Sequence, residues 1–107
     1  MKVNNIFSKI PKDLKEEFFE TLINSKTFKI KRIISKGHIT PKGKWYDQDK
    51  NEFVLLIKGS AELKFYPKKL INMKEGDYIN IPAHTKHRVE KTDSKKETVW
   101  LTVFYKN

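Results

Sequence analysis

Two of the three histidines in this 107-residue chain lie in one short segment that could do chemistry. The segment, residues 82–88, reads Pro-Ala-His-Thr-Lys-His-Arg and follows a turn sequence that contains Gly76. Because glycine adopts a positive φ at little steric cost, Gly76 can reverse the chain ahead of a short strand. A second strand would then carry His87 at the mouth of a β-structure. An imidazole there, with an unperturbed pKa of about 6.5, could transfer protons or bind a metal ion.

A carboxylate in an apolar stretch is the second candidate. Glu52 shares one face of a predicted strand with Val54 and Leu56, so its side chain is expected to point into an apolar interior. An unpaired charge in such a place is very costly, and it needs a cation or a hydrogen-bonding network. His87, which shares its own strand face with Val89, could supply a nitrogen to either arrangement.

Neighbouring polar residues could complete a metal site. Asp47 could supply a second oxygen beside Glu52 and His87, and Gln48 or His84 could complete the shell. An oxygen-rich set with one or two imidazoles would suit iron, manganese, nickel or zinc, and the residue types do not choose among these divalent metals.

A second interpretation of the same residues needs no ion. In it, Glu52, His87 and Arg88 form a satisfied polar network inside the β-structure. Trp45 and Tyr46 could wall a ligand pocket beside this network, or they could simply fill the mouth of the β-structure.

Proton transfer is the catalytic role considered for His84 and Tyr46. For His84 we favour a place in the pocket, beside any metal ligands, over direct ligation of a metal. His38 is interpreted as a turn residue. Trp100 lies on a C-terminal stretch that is apolar on both faces, so we assign it to the core or to a subunit interface.

The elements that would position these residues are mainly strands. From residue 26 onward the apolar residues recur with a period of two, broken by Gly and Pro segments. Many short strands with evenly spaced turns favour an antiparallel barrel or double sheet. The predicted strands are 28–34, 52–57, 61–66, 70–71, 78–81, 86–91 and 98–105.

The N-terminal region predicts one α-helix. Asp13 and Glu16 stand at capping-box spacing, and the apolar residues Leu14, Phe18 and Leu22 recur at every fourth position. The apolar stripe of this helix would cover a sheet face or a partner subunit.

Length and composition indicate one domain, 1–107, made of an N-terminal helical segment (1–25) and a β-barrel (26–107). There is no cysteine, so disulfides and thiolate metal sites are excluded. No leader-like segment and no apolar run long enough for a bilayer is present, and we expect a cytoplasmic protein with no membrane contact.

The net charge of +10 invites comparison with nucleic-acid-binding proteins. Arg32 and Arg88 are the only arginines, however, and the lysines are scattered along the whole chain. Recognition of phosphate and bases favours the bidentate arginine fork. Nucleic-acid binding is therefore not expected, and a lysine-rich solvated surface is.

An apolar outer face predicts a homodimer. Phe53, Leu55 and Ile57 lie opposite the face that carries Glu52. A small barrel cannot leave such a patch exposed, so the N-terminal helix or a second subunit must cover it.

Two short motifs resemble those of the cupins. Gly76, five residues, Pro82 and then His87 stand at the spacings of the second cupin motif, whose inner glycine is replaced here by His84. Glu52 and Gly59, separated by six residues, resemble the end of the first motif. The likeness runs from about Phe28 to Phe104 and is greatest to small single-domain cupins with a Trp-Tyr-Asp-Gln segment.

The resemblance implies an all-β fold, an RmlC-like jelly roll or antiparallel double-stranded β-helix. It also implies a homodimer and a metal held inside the barrel by two histidines and a glutamate of the first motif and a histidine of the second. Glu52 and His87 match the last two of these ligands. The histidine pair is absent: its two places fall on Trp45 and Asp47, or on Tyr46 and Gln48 with the shorter spacing.

Two classes of function follow from the resemblance and the residues together. The first is a metal-dependent isomerase, dioxygenase or lyase that acts on a small molecule, with Glu52, His87 and Asp47 holding the ion and His84 or Tyr46 moving protons. The second is a non-catalytic sensor or binding module whose metal-free pocket takes a small ligand.

Overall fold

The computed structural model describes residues 1–107 and contains eight β-strands and no helix, so no helix could cross a membrane. Every pair of neighbouring strands is antiparallel. In chain order the strands are β1 (Phe18–Asn24), β2 (Phe28–Ser35), β3 (Asn51–Lys58), β4 (Ser60–Phe65), β5 (Lys69–Lys74), β6 (Tyr78–Ile81), β7 (His87–Thr92) and β8 (Thr98–Tyr105).

The strands form two sheets that pack face to face. The larger sheet has the order β1-β2-β8-β3-β6, and the smaller sheet has the order β5-β4-β7. Val54, Leu56 and Trp100 of the larger sheet pack against Leu63 and Met73 of the smaller one, and all five are buried. The alternation of apolar residues along the strands thus builds one core between two layers.

The predicted N-terminal α-helix is wrong, because its second half forms β1 at the edge of the larger sheet and the residues before β1 are not helical. Phe18 pairs with Ile34 and Glu20 pairs with Arg32 across the β1–β2 ladder. Phenylalanine, threonine and isoleucine are favoured in strands, so the helical spacing of the apolar residues did not exclude a strand. Pairing with β1 satisfies the backbone N–H and C=O groups along the edge of β2, which a packed helix would leave without hydrogen-bond partners.

The segment ahead of β1 crosses the outer face of the larger sheet, the face that points away from the smaller sheet. Arg32 anchors it there, with a side chain that is only 4% exposed. Its Nη1 donates to the carbonyl oxygens of Ile6 and Ser8 at 3.0 and 2.6 Å, and its Nη2 lies 2.8 Å from Oε1 of Glu20. A buried guanidinium is thus paired with a carboxylate and with backbone carbonyls.

The rest of this outer face is apolar and only half-buried. Phe53 pairs with Val103, and Leu55 pairs with Leu101, so β3 and β8 present one continuous strip with Ile57 at its end. No helix covers the strip, since the chain has none. A second subunit, the other cover expected from the sequence, stays a prediction.

We expect the protein to be a dimer whose interface includes this strip, because burial of such a strip in a second copy removes apolar surface from water. Light scattering at micromolar concentration should give about twice the chain mass of 12.7 kDa. Leu55→Lys should shift the mass to that of the monomer. Leu70→Lys makes the same change on an exposed residue of β5 and should leave the mass unaltered. A monomeric wild-type protein would contradict the prediction.

Gly59 links β3 to β4 at a point where only a glycine fits. Its φ is +98°, and a Cβ built on it would lie 2.7 Å from the backbone Cα of Thr98 on β8. The conformation is strained for residues with a side chain, and the approach to Thr98 leaves no room for one. The glycine of the first motif therefore serves close packing of the larger sheet.

Gly59→Ala should lower the free energy of unfolding by about 3 kcal/mol, since backbone strain and steric overlap add together. Gly76→Ala is the matched control: its φ is +89°, but a Cβ there would meet nothing within 4 Å. It should lower the free energy by only about 1 kcal/mol. Urea unfolding at a single protein concentration measures both values, and equal losses would show that the contact with Thr98 does not matter.

Candidate functional site

A cavity of about 100 Å³ lies between the two sheets, and its walls are mainly apolar. Two residues at its edge, Phe19 and Tyr46, are 52% and 42% exposed, so the cavity opens to solvent beside them. The polar side chains that line it are Glu17, Tyr46, Gln48, Glu52, His87 and Thr102.

Glu52 and His87 meet in this cavity from opposite sheets, Glu52 on β3 and His87 on β7. The Glu52 Oε1 atom lies 3.5 Å from His87 Nε2, and their side chains are 12% and 6% exposed. Gln48 donates from its Nε2 to the same oxygen at 2.7 Å. The buried carboxylate is therefore held by an imidazole and an amide.

The backbone and two aromatic rings fix the His87 imidazole. Tyr46 and His87 exchange two backbone hydrogen bonds, of 2.7 and 3.1 Å. The ring lies between those of Tyr46 and Phe65, with centroid distances of 5.6 and 5.9 Å. Nδ1 lies 2.7 Å from the carbonyl oxygen of Thr85, which can only accept, so Nδ1 carries a proton and Nε2 is directed towards Glu52.

Opposing influences act on the pKa of His87. Burial, the largest of them, lowers this pKa. The contact with Glu52, the bond to the carbonyl of Thr85 and the negative charge of Glu52 together outweigh burial. The pKa of His87 therefore lies above its ordinary value of 6.5.

Glu17 is a second carboxylate at the cavity, and the sequence did not reveal it. Its Oε2 accepts a hydrogen bond of 2.5 Å from the Ser35 hydroxyl, which itself accepts one of 3.3 Å from Trp100 Nε1. Glu17 reaches the cavity because it directly precedes β1 and β1 pairs with β2. The predicted helix concealed this position, and no motif signals it.

The Tyr46 hydroxyl lies in the negative field of both carboxylates. Burial raises the pKa of Tyr46 above 10, and the charges of Glu17 and Glu52 raise it further, against a lowering by a hydrogen bond with the Thr40 side chain. Tyr46 therefore stays protonated at neutral pH and can donate a hydrogen bond into the cavity mouth.

Asp47 and His84, both predicted for the site, lie outside the cavity. Asp47 Oδ1 is 3.0 Å from His84 Nδ1, and their side chains are 42% and 70% exposed. His84 adopts a φ of +63°, and its backbone N–H donates to the carbonyl oxygen of Gln48 at 2.8 Å. The pair thus joins the turn before β7 to the segment that carries Tyr46 and Gln48.

Arg88 and Trp45, the predicted pocket residues, do not line the cavity either. The Arg88 guanidinium is buried on the other side of β7 and donates to the carbonyl oxygens of Thr40, Pro41 and Lys44 at 2.9–3.1 Å. The ring of Trp45 lies 6.0 Å from it. Both residues hold the loop that delivers Tyr46 and Gln48 to the cavity.

The donor set does not fit a tightly held divalent metal. Nowhere does the chain bring together three or more His, Asp or Glu side chains that could hold an ion. At the cavity the Gln48 amide beside Glu52 and His87 already donates its N–H group to Glu52, and the second carboxylate, Glu17, is bound by the Ser35 hydroxyl. Protein metal sites of the zinc type use at least three such ligands. Asp47, the remaining predicted ligand, pairs with His84 instead.

The family model for the cupin domain matches residues 33–104. The chain belongs to the cupin family. This confirms the resemblance seen in the two motifs, and the two-sheet fold agrees with it. No curated protein matches this cupin.

Solved structures extend the comparison. A "putative mannose-6-phosphate isomerase" of Ralstonia eutropha JMP134 is 38% identical over the whole of both chains, with a TM-score of 0.94. An RmlC-like cupin of Desulfovibrio desulfuricans is 20% identical, with coverage of 97% and 96% and a TM-score of 0.75. One of Methanocaldococcus jannaschii is 21% identical, with coverage of 91% and 86% and a TM-score of 0.71. The latter two show the fold alone.

The Glu52 contact should be visible in the titration of His87. We expect an NMR titration of the imidazole to give a pKa above 6.5 in the wild type, and a lower value in Glu52→Gln because the carboxylate that favours the imidazolium is removed. Asp47→Asn, which removes the exposed carboxylate beside His84, should leave the pKa of His87 unchanged.

The same shift fixes the sign of the pH dependence of stability. Because the folded-state pKa of His87 is raised, its contribution to stability is present below pH 6.5 and is lost as the pH rises through the raised pKa. The difference in unfolding free energy between wild type and Glu52→Gln should therefore be larger at about pH 6 than at about pH 9. An opposite trend would contradict the assigned contact.

Proposed function

We propose that this cupin binds a compact organic molecule in the cavity between its sheets, through the Glu52–His87 pair and without a divalent metal. The observation that carries the proposal is the convergence of these two side chains, from opposite sheets, in an otherwise mainly apolar cavity. Concave apolar sites with a few convergent polar groups are the usual form of small-molecule sites.

The size of the cavity limits the ligand. Sites for drug-sized ligands occupy about 300–1,000 Å³, whereas this cavity has a volume of about 100 Å³. A molecule of a few heavy atoms, or one end of a longer molecule that projects past Tyr46 and Phe19, fits such a space. The Glu52–His87 pair and the hydroxyl of Tyr46 would contact its polar group.

The name of the Ralstonia eutropha protein suggests a sugar phosphate as one ligand. The lining of this cavity disfavours that ligand class. It contains the carboxylates of Glu17 and Glu52 and no lysine or arginine, so a phosphate dianion would be repelled and would find only the His87 imidazole, already paired with Glu52, as a cationic partner. The isomerase name is therefore not carried over to this chain.

A metal-dependent enzyme is the second candidate, and one observation favours it. His87 donates from Nδ1 to a backbone carbonyl and leaves Nε2 free towards Glu52, which is the arrangement common for metal-bound histidine. The shortage of a third charged ligand is the reason that we place it second.

One experiment separates the two candidates. Protein made without a histidine tag and supplemented with iron, manganese, nickel and zinc should contain well below one metal ion per chain. In ligand-observed NMR, a library of fragments of about ten heavy atoms or fewer should yield binders. Their affinity should fall about tenfold in Glu52→Gln, because a charged hydrogen-bond acceptor is lost.

Glu62→Gln is the matched control, since Glu62 lies on β4 but on the face opposite to the buried Ala61 and Leu63. It should leave fragment binding unchanged. One metal ion per chain that is lost in Glu52→Gln would favour the metal-dependent candidate. A fragment library that yields no binder would overturn the proposed function.

A further inference from the structure

The charge balance of the cavity is negative. Two carboxylates, Glu17 and Glu52, line it, and the imidazole of His87 is the one lining group that can carry a positive charge. No lysine or arginine lines the cavity, although the chain as a whole carries a net charge of +10. In a poorly solvated space this excess of negative charge favours a cationic ligand and disfavours an anionic one.

The aromatic walls of the cavity also favour a cationic ligand. Phe19, Tyr46, Trp100 and Phe104 all line the cavity. The face of an aromatic ring attracts cations, and several rings around one space form the sites that recognise ammonium groups. Carboxylates and aromatic rings together are the side chains that a protonated amine requires.

An unpartnered hydroxyl in the cavity points to a ligand with a hydrogen-bonding group. Thr102 is 1% exposed and lines the cavity, and its Oγ1 has no hydrogen-bond partner. A buried polar atom without a partner is unfavourable, and an N–H group of a ligand would supply the missing bond.

The chain itself places an ammonium group against one of these rings. Lys31 on β2 holds its Nζ atom 5.7 Å from the centroid of the Phe104 ring. This ring therefore already has a cation beside it. A bound amine would experience repulsion from the Lys31 charge, which gives a way to raise affinity by substitution.

From these four observations we infer that the ligand of the cavity is a small protonated amine, with an apolar body in contact with the rings and an N–H group directed at Glu17, Glu52 or Thr102. The inference rests on the proposed function and specifies its ligand class.

Three probes with one apolar body test the inference: tert-butylammonium, tert-butanol and pivalate, which differ mainly in the charge of the head group. Ligand-observed NMR at low salt should show tert-butylammonium binding about tenfold more tightly than tert-butanol, and pivalate not binding. Equal affinities for the amine and the alcohol, or tighter binding of pivalate, would overturn the inference while leaving the proposed function intact. Failure of all three to bind would overturn the inference, and the fragment library then decides on the proposed function separately.

Substitutions at Glu17 and Lys31 locate the site, with Glu16→Gln as the control. Glu17→Gln should lower the affinity for tert-butylammonium about tenfold and leave the affinity for tert-butanol unchanged. Only the ammonium group is attracted by the negative charge of the Glu17 carboxylate. Glu16→Gln alters an exposed neighbour and should change neither affinity. Lys31→Met should raise the affinity for tert-butylammonium about threefold, because a repelling positive charge is removed. Equal affinities for tert-butylammonium in Glu17→Gln, Glu52→Gln and Glu16→Gln, with circular dichroism showing all three folded, would place the ammonium elsewhere and contradict the inference.

Discussion

A carboxylate buried between two apolar sheets is the constraint on which the site depends. Glu52 cannot remain there without partners, and it finds them in His87 from the opposite sheet and in Gln48 from the loop before β3. These contacts require the loop to lie against β7, and the paired backbone bonds between Tyr46 and His87 keep it there. One buried charge thus determines how a loop and two sheets are placed around a cavity.

The two arginines of the chain perform the same structural task on opposite faces of the molecule. Arg32 holds the N-terminal segment over the larger sheet, and Arg88 holds the loop of residues 40–45 over the smaller one, each by donating to backbone carbonyl oxygens. Irregular segments lack a ladder to satisfy their carbonyls, and the planar guanidinium can bond several of them at once. Lysine, abundant here, lacks that fork, which explains why these two positions are arginine.

Much of the β-structure could be predicted from the sequence, because the period of two from Phe28 onward reports directly on burial. Glu52 was placed on the correct face by the same rule. The rule also explains an error in the site: Asp47 lies between Tyr46 and Gln48, which both line the cavity, and in an extended segment it must point the other way. Glu17 could not be predicted, since its position follows from the pairing of β1 with β2, which a helix in this region excludes.

Attachment of the N-terminal segment by Arg32 fixes the start of the chain on the outer face of the larger sheet, away from the cavity. Residues 6–8 are fixed over the outer face of the larger sheet, and the chain then continues through exposed lysines at positions 9, 12 and 15 to Glu17. A trypsin-like protease that cut after one of these lysines would leave the piece before the cut without a covalent link, and its loss would leave Glu20 as the remaining hydrogen-bonding partner of the Arg32 guanidinium. A nick that touches no residue of the core would thus leave a buried charge short of partners.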